Sequence, residues 1–143
     1  AGDGLAVDVT GASQQHLADT LRHSDVIVNV ASTIAIEAAI FDTPVVNIAF
    51  DGEAATEFAR SARRYYQFTH YANVTRLDAV RVAWTPDELV GHVGAYLRSP
   101  SLDAGGRKQV VAEQCQFTDG HSAERVARAV VAALSLAGRG VQS

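Results

Sequence analysis

Apolar residues along this chain fall into short blocks separated by polar turns, and the blocks alternate between two periods. Val26 to Val30 and Val45 to Ala49 are near-continuous apolar runs. Such runs are expected of parallel strands buried on both faces. Val80 to Trp84 is a third strand, and Leu5 to Val9 alternates weakly as a further one. Between them the spacing turns helical. Ser13 is placed to cap a helix running to about Arg22, with Leu17, Ala18 and Leu21 on its inner face. Thr33 to Phe41 reads as a short helix that Asp42-Thr43-Pro44 breaks. Thr85-Pro86-Asp87-Glu88 is a strong helix start: a capping hydroxyl, a proline at the first helical position and a capping-box glutamate. That helix should reach Arg98 and stop at Ser99-Pro100. Further helices are predicted from Ala104 to Gln114 and from Ser122 to about Leu136, with a turn at Thr118 to His121 and a frayed tail from Gly138.

Asp51 to Gln67 is the hardest stretch. Phe58, Ala59 and Ala62 have helical spacing, but three arginines and two tyrosines interrupt it. Phe68 to Asp78 reads as loop with some helix. Strands alternating with helices predict an α/β fold: a partial Rossmann-like parallel sheet with flanking helices. Residues 1–137 form one domain on this reading, and 138–143 a disordered tail.

Composition narrows the function classes. The 143 residues suffice for one domain with a real core, burying about 68–70% of the unfolded surface. A net charge of -4 argues against a nucleic-acid-binding surface. No apolar run reaches the roughly 20 residues of a membrane span. The single cysteine, Cys115, reads as a small core residue and fits a reducing cytoplasm.

Candidate chemistry concentrates between Ser24 and Phe50, a strand–turn–helix–turn–strand unit. Ser32 and Thr33 stand where the helix begins, and Glu37 follows one turn later on the same face. Free N–H groups and hydroxyls at a helix start suit a phosphate, and a carboxylate beside them suits ribose hydroxyls. The plainer alternatives are simple capping for the hydroxyls and a solvent-facing position for Glu37. Asp51 and Gly52 follow the next strand, at the edge where open α/β sheets bind ligands, although the pair is also a turn signal. Arg60, Arg63 and Arg64 form a basic patch that fits phosphates or an anionic acceptor, or a solvated face. Tyr65, Tyr66, His70 and Tyr71 cluster in the irregular stretch and are expected to line a cleft; packing a loop onto the core is the rival reading. Gly105-Gly106 before Arg107 and Lys108 reads as a helix start with surface charges. No acidic, His or Cys set has metal-ligand spacing, and neither a P-loop nor a dinucleotide glycine fingerprint occurs.

Together these residues resemble the donor-binding half of the two-Rossmann-domain (GT-B) glycosyltransferases, most of all bacterial surface-polysaccharide transferases and CDP-glycerol glycerophosphotransferase-like proteins. The likeness runs from Leu17 to Val130. Besides Ser24–Phe50 it rests on Trp84-Thr85-Pro86-Asp87-Glu88-Leu89, Tyr96-Leu97-Arg98-Ser99-Pro100 and Thr118-Asp119-Gly120-His121-Ser122-Ala123-Glu124-Arg125-Val126. The last turn has His121 where that family often carries Lys or Arg. The resemblance implies that Ser32 and Thr33 contact the donor diphosphate and Glu37 contacts ribose or sugar hydroxyls. The candidate donor-binding set is Ser32, Thr33, Glu37, Asp51, Gly52, His70 and Tyr71, with no catalytic residue, metal or cofactor assigned.

The resemblance further implies a cytoplasmic transferase moving a sugar or polyol phosphate from a nucleotide-sugar or CDP-alcohol donor to a cell-envelope acceptor. On this reading the chain is a C-terminal fragment, inactive alone. Its partner is an N-terminal acceptor domain of the same enzyme, and peripheral membrane association of the whole is compatible. The rival readings are a nucleotide-sugar 2-epimerase and a non-catalytic α/β module that binds a nucleotide or a protein.

Overall fold

The computed structural model describes residues 10–52 and 57–139. The strand expected over Leu5 to Val9 and the tail beyond Arg139 lie outside the described residues. The first helix, α1 (Gly11–His23), is capped by Thr10 and not by Ser13. Thr10 Oγ1 accepts the Ser13 N–H at 3.2 Å, and Ser13 Oγ accepts the Thr10 N–H at 3.0 Å. Ser13 is therefore the returning arm of a capping box opened three residues earlier. Of the expected inner face only Leu21 is buried, whereas Leu17 is 40% exposed.

Three parallel strands follow in the spatial order β1 (Ile27–Asn29), β2 (Val45–Ile48), β3 (Arg81–Ala83). Parallel neighbours need crossovers. The first is α2 (Ile34–Ile40). The second consists of two 3-10 segments, Phe58–Arg60 and Ala62–Gln67, and α3 (Thr69–Thr75). Side chains alternate across the sheet. Val45 and Val80 join Leu21, Ala35, Ala38, Tyr71, Val74 and Val110 in one core. Val46 and Ala83 join Tyr96 in the other, under α4 (Pro86–Arg98). β2 is the central strand and matches the expected burial on both faces. β1 does not: Val28 is 48% exposed. It lies on the α4 face, and α4 packs chiefly over β2 and β3, beyond the middle of β1.

α5 (Ala104–Gln114) lies against α2. Arg107, expected as a surface charge, is 1% exposed. Its Nε donates to Asp42 Oδ1 at 2.8 Å, and its two terminal nitrogens donate to the Leu102 and Pro100 carbonyls at 2.7 and 3.0 Å. A buried cation is tolerated only when paired and hydrogen-bonded in this way. Asp42 closes α2 in the left-handed region, at φ 58°. Around it Thr43 N–H reaches the Ala38 carbonyl and Asp42 N–H reaches that of Ala39, each at 3.0 Å. This is a Schellman closure with aspartate in the place usually held by glycine.

On the opposite face Asp103 Oδ2 accepts from Arg81 Nε at 2.7 Å and from the Tyr96 hydroxyl at 2.9 Å. The Arg81 guanidinium holds the Asp103 carboxyl below the usual carboxylate range, with the Tyr96 hydroxyl adding to the effect. The last helix, α6 (Ser122–Arg139), carries Val126, Val130 and Leu134 exposed along one stripe.

Two predictions follow from these contacts. A Cβ on Gly106 would lie 2.1 Å from the Leu77 carbonyl oxygen, a backbone atom with little room to yield. Alanine improves helix propensity by roughly 1 kcal/mol over glycine, so the sign of Gly106→Ala reports which effect wins. We expect the clash to win and the melting temperature to fall. A rise would show that α5 is not seated on the Leu77–Asp78 turn. Because the folded value of Asp103 is depressed, its contribution is present above the unfolded value of 3.8 and is lost as pH falls through the folded one. Asp103→Asn should cost about 1 kcal/mol at pH 7, the screened worth of a part-exposed charged hydrogen bond. Urea unfolding at pH 7 and near pH 2 checks this: the gap between variant and native chain should close in acid.

Candidate functional site

The carboxyl ends of the three strands lie along one edge, where the Ala31–Thr33 turn, the Asp51–Gly52 pair and Trp84 follow them in chain order. This is the edge at which open parallel sheets bind ligands. The Ala49 N–H donates to the Ala83 carbonyl at 2.8 Å, so the ends of β2 and β3 stay in register past the last ladder pair.

Ser32 is the residue that caps α2. Its Oγ accepts the Ile34 N–H at 3.1 Å. Thr33, the residue immediately before the helix, already has helical backbone angles and makes no side-chain capping bond. Its hydroxyl is left for other partners. The turn is held from below by two tyrosines, Tyr71 buried and Tyr66 half-buried. Asn47 Nδ2 donates to the Tyr71 hydroxyl, and the Ser32 backbone N–H lies against the same oxygen. The Tyr66 hydroxyl donates to the Ile48 carbonyl at 2.7 Å, with the Ala31 backbone N–H beside it. The two rings meet edge to face, centroids 5.7 Å apart. Burial pushes the Tyr66 phenol up to about 12 and the Tyr71 phenol higher still, so both stay protonated at neutral pH.

Tyr71 is thus a core residue, 4% exposed, in contrast to the expectation that the aromatic cluster lines a cleft rather than the core. It nonetheless forms one wall of a recess of about 250 Å³ with Ala31, Ser32, Thr33, Ile36 and Gln114. Ser32, Thr33 and Tyr71 are therefore brought together. Glu37 is not in that recess. It lines a separate groove between α1 and α2, with Gln14, Leu17 and Phe41. Ile36 lines the recess beside Thr33, and Glu37 lines the groove against α1.

Asp51 accepts the Ala62 N–H at 2.9 Å. Hydrogen bonds from the Ser61 hydroxyl and then from this N–H hold its carboxyl below the usual range. It organises the start of the second 3-10 segment. Gly52 is exposed and has open space where a side chain would stand. The side chain of His70 lies outside the described part of the structure.

Within the basic patch the roles divide. Arg64 bonds the Ala59 carbonyl and the Tyr65 hydroxyl and stacks over the Tyr65 ring, so it is a structural residue. Arg63 makes no side-chain hydrogen bond or ion pair among the described residues. Trp84 and Phe58, given no role from the sequence, join Tyr66 and Arg63 in a groove of about 410 Å³. The available signal was position: Trp84 is the first residue beyond a parallel strand. Among the described residues no group of acidic, histidine or cysteine side chains is placed to hold a metal ion. No described helix is long and apolar enough to cross a membrane.

A family model described as CDP-Glycerol:Poly(glycerophosphate) glycerophosphotransferase matches residues 2–132. No curated protein and no solved structure matches the chain. The family match takes in all three strands, the Ser32–Thr33 turn and the first turns of α6. The chain belongs to the CDP-glycerol:poly(glycerophosphate) glycerophosphotransferase family.

Proposed function

We propose that this chain is the donor-nucleotide-binding part of a transferase that moves glycerol phosphate from a CDP-alcohol to a cell-envelope acceptor, on the cytoplasmic side of the membrane. The family match over residues 2–132 carries the reading. The arrangement at the carboxyl edge of the sheet supports it. Ser32 and Thr33 place two hydroxyls at the start of α2, over a recess of about 250 Å³. In the transfer an acceptor hydroxyl attacks the phosphorus that bears glycerol. A new P–O bond forms, the bond between the two phosphates breaks, and the cytidine monophosphate leaves carrying the electron pair. In this proposal the hydroxyls of the turn donate to the charge that gathers on the phosphates. The hydroxyl's proton is taken by a base from the acceptor half of the enzyme in this proposal.

Glu37 belongs to the proposal through the family resemblance, as the partner of a donor hydroxyl. Its position between α1 and α2 makes it the part most open to test. Calorimetric titration with CDP-glycerol checks both. Ser32→Ala/Thr33→Ala should weaken binding by about 1–3 kcal/mol, and Glu37→Ala by a similar amount if it meets a donor hydroxyl. Unchanged affinity in the double variant would overturn the phosphate assignment. Unchanged affinity in Glu37→Ala alone removes that residue and leaves the turn in place. The 143-residue chain itself should bind donor and transfer nothing. Turnover abolished by a substitution within it would place the chemistry here instead.

A further inference from the structure

Asn47 stands in the central strand with no exposed surface. Side chains alternate along β2, so Asn47 shares the face of Val45, toward Tyr71 and Val74, and not that of Val46. Its Oδ1 is buried with no hydrogen-bond partner among the described residues. An apolar side chain would avoid the cost of that unpaired oxygen. The amide has one partner: Nδ2 donates to the Tyr71 hydroxyl. A residue that weakens the core for a single contact directs attention to what the contact holds.

The turn hangs on two phenol oxygens. The Ala31 N–H lies against the Tyr66 hydroxyl, and the Ser32 N–H against the Tyr71 hydroxyl. Each oxygen is tied in turn to β2: Tyr66 to the Ile48 carbonyl at 2.7 Å, Tyr71 to the Asn47 amide. Any residue at position 48 supplies that carbonyl. The second tie depends on the asparagine side chain. The lone pairs of the Tyr71 oxygen are taken up by Asn47 and Ser32 together, which fixes the oxygen and the backbone above it. We propose that Asn47 is a positioning residue for donor binding: through the Tyr71 hydroxyl it sets where the Ser32–Thr33 turn stands over its recess. This rests on the donor-binding reading of that turn.

Asn47→Val should separate stability from binding in the 143-residue chain. Removing the unpaired amide oxygen should hold or raise the melting temperature. Affinity for CDP-glycerol, by calorimetry, should fall about 10-fold, the size of one hydrogen bond to a charged group. Tyr71→Phe keeps the ring in the core and should weaken CDP-glycerol by a similar factor. The double variant should bind no worse than Tyr71→Phe alone, because Asn47 acts through that hydroxyl. Exchange of the Ser32 amide hydrogen, followed by NMR, should speed up in both single variants. Val45→Ala, on the same strand and face, should do the reverse: a lower melting temperature and native affinity in the folded chain. Native affinity or unchanged Ser32 exchange in Asn47→Val, or losses that add in the double variant, would overturn the inference and leave the donor reading standing. Melting that falls in step with affinity in Asn47→Val would make Asn47 a packing residue and overturn it too. If the native chain binds no CDP-glycerol, the donor reading falls and this inference with it.

Discussion

The buried guanidinium of Arg107 holds the crossover on which the carboxyl edge depends. α2 has seven residues, too few to be stable as an isolated helix. It persists because both ends are tied to something else. At its C-terminus Arg107 grips Asp42 and so fixes a left-handed aspartate that costs roughly 1–2 kcal/mol in backbone strain. At the same junction the Thr43 hydroxyl donates to the Leu21 carbonyl at 2.7 Å and ties in α1. At the N-terminus the hydroxyls of Tyr71 and Tyr66 receive the turn. The helix is a short strut between two anchors, and the Ser32–Thr33 turn sits on the second of them.

The same arrangement explains why the edge presents polar groups without being a polar interior. Asn47 is fully buried in the middle strand, where an apolar side chain would pack more cheaply. Its amide carries the Tyr71 hydroxyl, and that hydroxyl meets the Ser32 backbone. Asn29 stands in register beside it on β1. Asn29 Nδ2 and Asn47 Oδ1 are buried with no hydrogen-bond partner among the described residues. Buried amides in this state cost stability. Their position directly behind the turn is consistent with a sheet end selected to hold a loop in place rather than to maximise packing.

Much of the fold was legible because its signals are local. Thr85-Pro86-Asp87-Glu88 announces α4, and the Thr85 hydroxyl does accept the Glu88 N–H at 3.2 Å. The returning glutamate departs from the expected box by one residue: it takes the Trp84 N–H, and so fixes the aromatic residue at the strand end. The apolar runs located all three described strands. What failed was long-range. Arg107 looked like a surface charge beside Lys108 because its partner lies 65 residues away. Val28 looked buried because a strand's own sequence does not say where the covering helix stops.

At the site the hydroxyls of the turn were readable as a helix start, but their division of labour was not. Ser32 is spent on capping and Thr33 is free, the reverse of what position before the helix suggests. The spacing of Glu37 four residues after Thr33 implied one shared face. The two line different recesses, because α1 supplies the wall beside Glu37 while Tyr71 and Gln114 stand beside Thr33. The tyrosine cluster was read as choosing between cleft and core, yet a ring at a strand end does both. Tyr71 has its face in the core and its hydroxyl under the turn. Tyr66 has its hydroxyl on β2 and its edge against Trp84. A sheet whose carboxyl edge is built on its own tyrosine rings has little freedom to reshape that edge, and the groups that project beyond the rings are Thr33 at one end and Arg63 with Trp84 at the other.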